Sequence, residues 1–227
     1  MTENEAREEI VRVGRSLFAR GLVHATAGNI SVRLADGGFL ITPTDACLGF
    51  LDPARLARLD ANGQQTSGER ASKTIALHAR IYASARAFDA GTACVIHTHS
   101  THCVALTLDE SAGDELLPAI TPYFVMKVGH VPRIPYHRPG APEAAQAVAQ
   151  AIESYGARGT PIRAVMLERL GPNVWHDSPA AAMATLEELE ESARLWWLAT
   201  ARADRPPPAP LSEARIDELR RQFGARW

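Results

Sequence analysis

Thr92–Ile96 is a run of small, β-branched and apolar residues that follows Gly91 and leads directly into His97, Thr98 and His99. Such a run reads as a short buried strand, and a buried strand commits the chain to a packed core. Strand side chains alternate between faces, so His97 and His99 share one face with their Cα atoms roughly 6.5 Å apart. Two imidazoles at that spacing can converge on one cation, and zinc accepts neutral histidine nitrogen at about 2.0–2.1 Å. The plainer reading is that both side chains cap the strand end. His102 falls outside this spacing and suits the next turn or helix.

The 227 residues are enough for one sizeable α/β domain with a full core. A net charge of −2 points to neither nucleic acid nor a membrane surface as partner. Cys47, Cys94 and Cys103 are odd in number and form no CxxC pair, which predicts free thiols in a reducing cytoplasm. The opening MTENEAREEI is too acidic and polar for a signal peptide, and no run approaches the roughly 18 apolar residues of a membrane span.

Taken in order, residues 3–21 predict an amphipathic helix stopped by Gly21. Residues 30–34 and 39–42 predict a hairpin across Asp36-Gly37-Gly38. Residues 53–59 predict a short helix, 66–73 a polar loop, and 74–87 a helix with Ser72 as N-cap. A short helix is expected at 103–108 and an edge strand at best at 131–135. Further on come a helix at 144–155, a strand at 162–167 with a hairpin partner near 173–175, and a long helix at 179–203 capped by Ser178. A stiff Pro-rich linker at 206–210 precedes a last helix at 211–224. This divides the chain into a domain of residues 1–203 and a linker plus helix at 204–227. The last helix is expected on its own domain or on a neighbouring subunit.

Gly28 and Asn29 precede the hairpin and Thr42-Pro43-Thr44 follows it. Glycine and short polar side chains at loop ends build anion pockets, though ordinary turns look the same. Ser72 at a helix start favours an anion, and Lys73 beside it adds charge. His78 reads as a hydrogen-bonded core histidine and His24 as structural, while His176 has no obvious partner. Trp196 and Trp197 read as packing or subunit contacts. Glu187, Glu188, Glu190 and Glu191 read as a solvated helix face.

TAGNISVR at 26–33, ITPT at 41–44, Ser67-Gly68 followed by Ser72-Lys73, the His97/His99 pair and the late helix with Glu187–Glu190 stand in an order that resembles the class II aldolase/adducin family. The phrases LGFLDP at 48–53, TPYFVMK at 121–127 and YHRPG at 136–140 resemble the branch of the 3-oxo-tetronate 4-phosphate decarboxylases. L-fuculose-phosphate aldolases and L-ribulose-phosphate 4-epimerases lie nearby. The resemblance implies a three-layer α/β/α fold with a mainly antiparallel sheet. It also implies a cyclic homotetramer with sites between subunits, and a divalent metal, usually zinc, on three histidines. A substrate phosphate would sit among Gly28, Asn29, Thr44, Ser72 and Lys73. The implied activity is a metal-dependent carbon–carbon lyase acting on a small phosphorylated sugar or sugar acid through an enediolate.

The chain departs from that pattern twice. The family's acid–base Glu falls at Thr74, whose hydroxyl has no useful pKa near neutrality. Its third histidine ligand falls at Leu170, which coordinates nothing. Glu168, two residues earlier, would share a strand face with position 170 and is the candidate third ligand; His130 and His137 are others. A two-histidine, one-carboxylate set would also suit iron or manganese. A diverged member with altered chemistry or a purely binding role is the alternative reading.

Overall fold

The computed structural model describes residues 1–109, 113–201 and 206–227. Its strands are β1 (Asn29–Arg33), β2 (Phe39–Ile41), β3 (Ala57–Leu59), β4 (Gln65–Ser67), β5 (Cys94–His97), β6 (Arg133–Ile134), β7 (Ala164–Leu167) and β8 (Gly171–His176). Its helices are α1 (Glu3–Ala19), α2 (Ile75–Ala85), α3 (Thr101–Leu106), α4 (Pro142–Ala157), α5 (Pro179–Thr200) and α6 (Glu213–Phe223). One sheet runs in the order β4-β3-β2-β1-β5-β8-β7-β6. Its pairings are antiparallel apart from β6 with β7.

Side-chain alternation along β5 makes the layers. Cys94 and Ile96 join a core with Ile10 and Leu17 of α1 and Leu186 and Leu189 of α5. Val95, facing the other way, joins Ile81 and Tyr82 of α2 and Val148 and Ile152 of α4. The result is a three-layer α/β/α fold with a mainly antiparallel sheet. His97, two residues after Val95, falls on the α2–α4 face.

Two glycines let the backbone close around the histidine pair. Gly28 has φ +85°, and a Cβ there would lie 2.8 Å from the His97 carbonyl oxygen. Gly171 has φ +138°, and a Cβ there would lie 1.9 Å from the carbonyl oxygen of Thr98. No side chain fits either position.

Several local expectations change. Residues 53–59 are not one helix: a single turn at Pro53–Arg55, capped by Asp52, gives way to β3. Ala57 and Leu59 are buried and alternate with Arg58, a strand pattern that the leading proline obscures. Part of the polar stretch at 66–73 pairs with β3 as the exposed edge strand β4. The N-cap of α2 is Thr74, not Ser72. Helix α4 starts earlier than expected, with Pro142 in its first turn. Glu190 is not solvated. It is buried and accepts hydrogen bonds from the backbone N–H of His102 (2.9 Å) and of Cys103 (3.0 Å), so α5 caps α3.

Ile216 and Leu219 of α6 pack with Ala119 and Val125, and Trp227 stacks on His130 with ring centroids 4.3 Å apart. The last helix therefore packs on its own chain. The boundary expected at 203/204 lies outside the described residues. Among the described residues no helix is long and apolar enough to cross a membrane.

Candidate active site

One cavity of about 420 Å³ opens beside the end of β5. Gly28 and Asn29 reach it from the start of β1, Thr44 from the loop after β2, and Ser72, Lys73 and Thr74 from the entry to α2. His97 and His99 line it too, so the structure brings these eight sequence candidates onto one wall. The Ser72 and Thr74 hydroxyls bond each other at 2.8 Å. No side chain caps α2, which leaves the positive end of that helix facing the cavity. Asn29 is buried and its Oδ1 has no partner.

The His97 and His99 rings lie edge to face with centroids 5.1 Å apart. His97 donates its Nδ1–H to the Pro172 carbonyl (3.0 Å), which leaves Nε2 as the free lone pair. Burial first, and His99 second, push the His97 pKa down to about 4. Burial and then His24 lower that of His99. Both rings are neutral at pH 7, the state a metal requires. Tetrahedral zinc with Zn–N bonds of about 2.0–2.1 Å puts imidazole centroids about 5 Å apart. The pair therefore fits two positions of a zinc site.

Glu168 does not join them. Its carboxylate pairs with Arg133 at 3.0 Å, while Leu167 and Leu170 form the cavity wall. The expected i, i+2 alternation fails because β7 ends at Leu167 and Arg169 turns left-handed, φ +60°. His130 is held by Glu115 at 2.8 Å. Among the described residues no three His, Cys, Asp or Glu side chains meet in a metal-ready cluster. His78 is a core residue, its Nδ1 bonded to the Ser31 hydroxyl at 2.7 Å. His176 does have a partner, Asp177, at 2.8 Å.

Two cavity residues and one ladder neighbour of His97 escaped the sequence reading. Arg138 lines the cavity from the 136–140 loop and has no ion pair among the described residues. Asp45 is the carboxylate of the cavity wall, on left-handed backbone with φ +58°. Asn173 stands opposite His97 in the ladder, fully buried with both polar side-chain atoms unpartnered. The YHRPG phrase could have pointed to Arg138; nothing local marks Asn173.

A 3-oxo-tetronate 4-phosphate decarboxylase of Cupriavidus necator is 50% identical, covering 100% of this chain and 99% of that protein. An L-fuculose phosphate aldolase of Methanococcus maripaludis is 31% identical over 82% of this chain and 93% of its own. The crystal structure of YgbL from Escherichia coli superposes with a TM-score of 0.85 at 36% identity, covering 96% of this chain and 99% of that one. Residues 8–197 match the family described as Class II Aldolase and Adducin N-terminal domain. The chain belongs to this class II aldolase and adducin family.

Proposed function

We propose that the chain is a carbon–carbon lyase, specifically a decarboxylase of a small phosphorylated 3-oxo sugar acid. The observation that carries this reading is Thr74, a hydroxyl on the cavity wall where the family resemblance implies an acid–base Glu. Aldol cleavage begins when a base removes a hydroxyl proton. Decarboxylation of a 3-oxo acid begins from a carboxylate that is already ionised. The C1–C2 electron pair moves toward the C3 carbonyl oxygen, carbon dioxide leaves, and C2 later takes a proton from solvent. Such a step needs an electron sink and no base.

The wall suits a substrate with two anionic ends. Lys73, Ser72, Thr44 and the open start of α2 would hold the phosphate. Arg138 would orient the carboxylate from the opposing loop. Leu77, Leu167 and Leu170 supply the apolar wall that excludes water. A divalent cation on His97 and His99, zinc in this reading, would polarise the carbonyl as a Lewis acid. The decarboxylase named among the relatives supports the substrate class. Exposed Phe50, Tyr123, Leu198 and Phe223 support a further part of the reading, a homotetramer. The free cysteines support the cytoplasm as its compartment.

The test is a choice of substrates. The protein should convert a phosphorylated four-carbon 3-oxo acid to a ketone phosphate and leave L-fuculose phosphate untouched. Cleavage of the ketose phosphate alone, or turnover of neither, would overturn the reading.

A further inference from the structure

We propose that the chain carries a second anion site, apart from the histidine pair, that takes a small phosphate monoester on Lys127, Arg163 and Arg226. These three cations line a cavity of about 540 Å³. Lys127 reaches it from the turn at Phe124–Val128, Arg163 from just before β7 and Arg226 from beyond α6. The cavity shares no lining residue with the one at His97 and His99. His176 lies on its wall and pairs with Cys94 in the ladder, whereas His97 pairs with Asn173. The two sites therefore open at opposite ends of β5, roughly 10 Å apart along the strand.

The guanidiniums are short of acceptors. Both turn to Asp89: Arg226 bonds its Oδ2 at 3.0 Å, and Arg163 stays 3.6 Å from the same oxygen. Asp177, close by, is held by His176 at 2.8 Å. Arg163 is half-buried, and its Nε is buried with no hydrogen-bond partner. Burial first, and Arg226 next, lower its pKa, so two like charges meet over one carboxylate. Buried donors are almost always satisfied, and the bond Arg163 lacks is one that a ligand oxygen supplies. Lys127 is exposed and has no ion pair among the described residues. A phosphate answers all three, since a guanidinium takes two of its oxygens at once and an ammonium acts as a point charge.

The rest of the wall sets what else the ligand carries. Ala181, in the first turn of α5, lines the cavity, so the positive end of that helix adds to the cations. Glu188, about two turns further along α5, is the carboxylate on the wall. Ser192 donates to it at 3.3 Å, and burial above all holds its carboxyl over the usual range. Glu188 disfavours a second anionic group and accepts from hydroxyls. A phosphate monoester of a small polyol meets both ends of the cavity, and a dicarboxylate does not.

The test uses full-length protein and equilibrium dialysis against radiolabelled glycerol phosphate at low ionic strength. Lys73→Met removes the cation of the active-site wall and leaves this cavity untouched. That variant should still bind about one ligand per chain. Adding Lys127→Met should weaken the remaining binding roughly 10- to 100-fold, the loss expected for a charge-assisted contact. Lys127 is exposed, so its replacement spares the fold. Arg15→Met in the same background, which removes an exposed charge from α1, should change nothing. No ligand on Lys73→Met, equal affinity after Lys127→Met, or an equal loss from Arg15→Met would overturn the proposal. The outcome is independent of the reaction. A protein that binds at this cavity and decarboxylates nothing would sink the proposed function and leave this site standing.

Discussion

Lys73 is the residue most exposed to a simple test. If it holds the phosphate, Lys73→Met removes a charge-assisted hydrogen bond worth about 1.5–3 kcal/mol, and KM should rise roughly 10- to 100-fold. Loss of kcat at unchanged KM would place Lys73 elsewhere in the reaction. Asp45 should act oppositely. Its carboxylate sits beside Thr44 on strained backbone, so Asp45→Gly should tighten phosphate binding. It should also stabilise the fold by about 1 kcal/mol, or roughly 2–4 °C in Tm. A lower Tm with weaker phosphate binding would contradict both arguments. At this scale the sequence pointed to His97 and His99, which both line the cavity although β5 ends at His97. It misled for Glu168, because the same logic assumes a continuous strand and Arg169 breaks it.

Between elements, two buried polar links hold the layers in register. Glu190 joins α5 to the first turn of α3, and its burial was hidden because a helical run of four glutamates looks solvated. Glu190→Ala strands two backbone N–H groups and should cost about 2–3 kcal/mol in denaturant unfolding. A loss below about 0.5 kcal/mol would mean that water replaces the carboxylate. His78 joins α2 to β1 through Ser31, and burial followed by His97 lowers its pKa to about 3. The unfolded chain takes up a proton near pH 6.5, while the folded chain refuses it until about 3. Stability should therefore fall as pH drops through that window, by up to about 1.4 kcal/mol per pH unit from this group. His78→Gln should have a shallower fall, measured as Tm against pH. Equal slopes in both proteins would show that His78 does not titrate there.

At the scale of the molecule, β5 near the middle of the sheet explains why the fold could be read early. A short apolar strand with glycines, turns and helical periods around it leaves few alternatives. The β3 and β4 edge was less legible, since short edge strands carry polar residues and their pairing is non-local. The cavity was half legible. The side proposed for the phosphate comes from local loop chemistry at 28–29, 44 and 72–74, whereas Arg138 arrives by tertiary folding of the 136–140 loop. These parts converge on one claim, that the pocket lets a 3-oxo acid lose its carboxylate without a protein base. The direct measurement is carbon-13 NMR of a phosphorylated four-carbon 3-oxo acid labelled at its carboxyl carbon. The account predicts that the label leaves as carbon dioxide, one per ketone phosphate formed, at a rate above the spontaneous one. Label retained in a phosphorylated product, or release no faster than without protein, would contradict it.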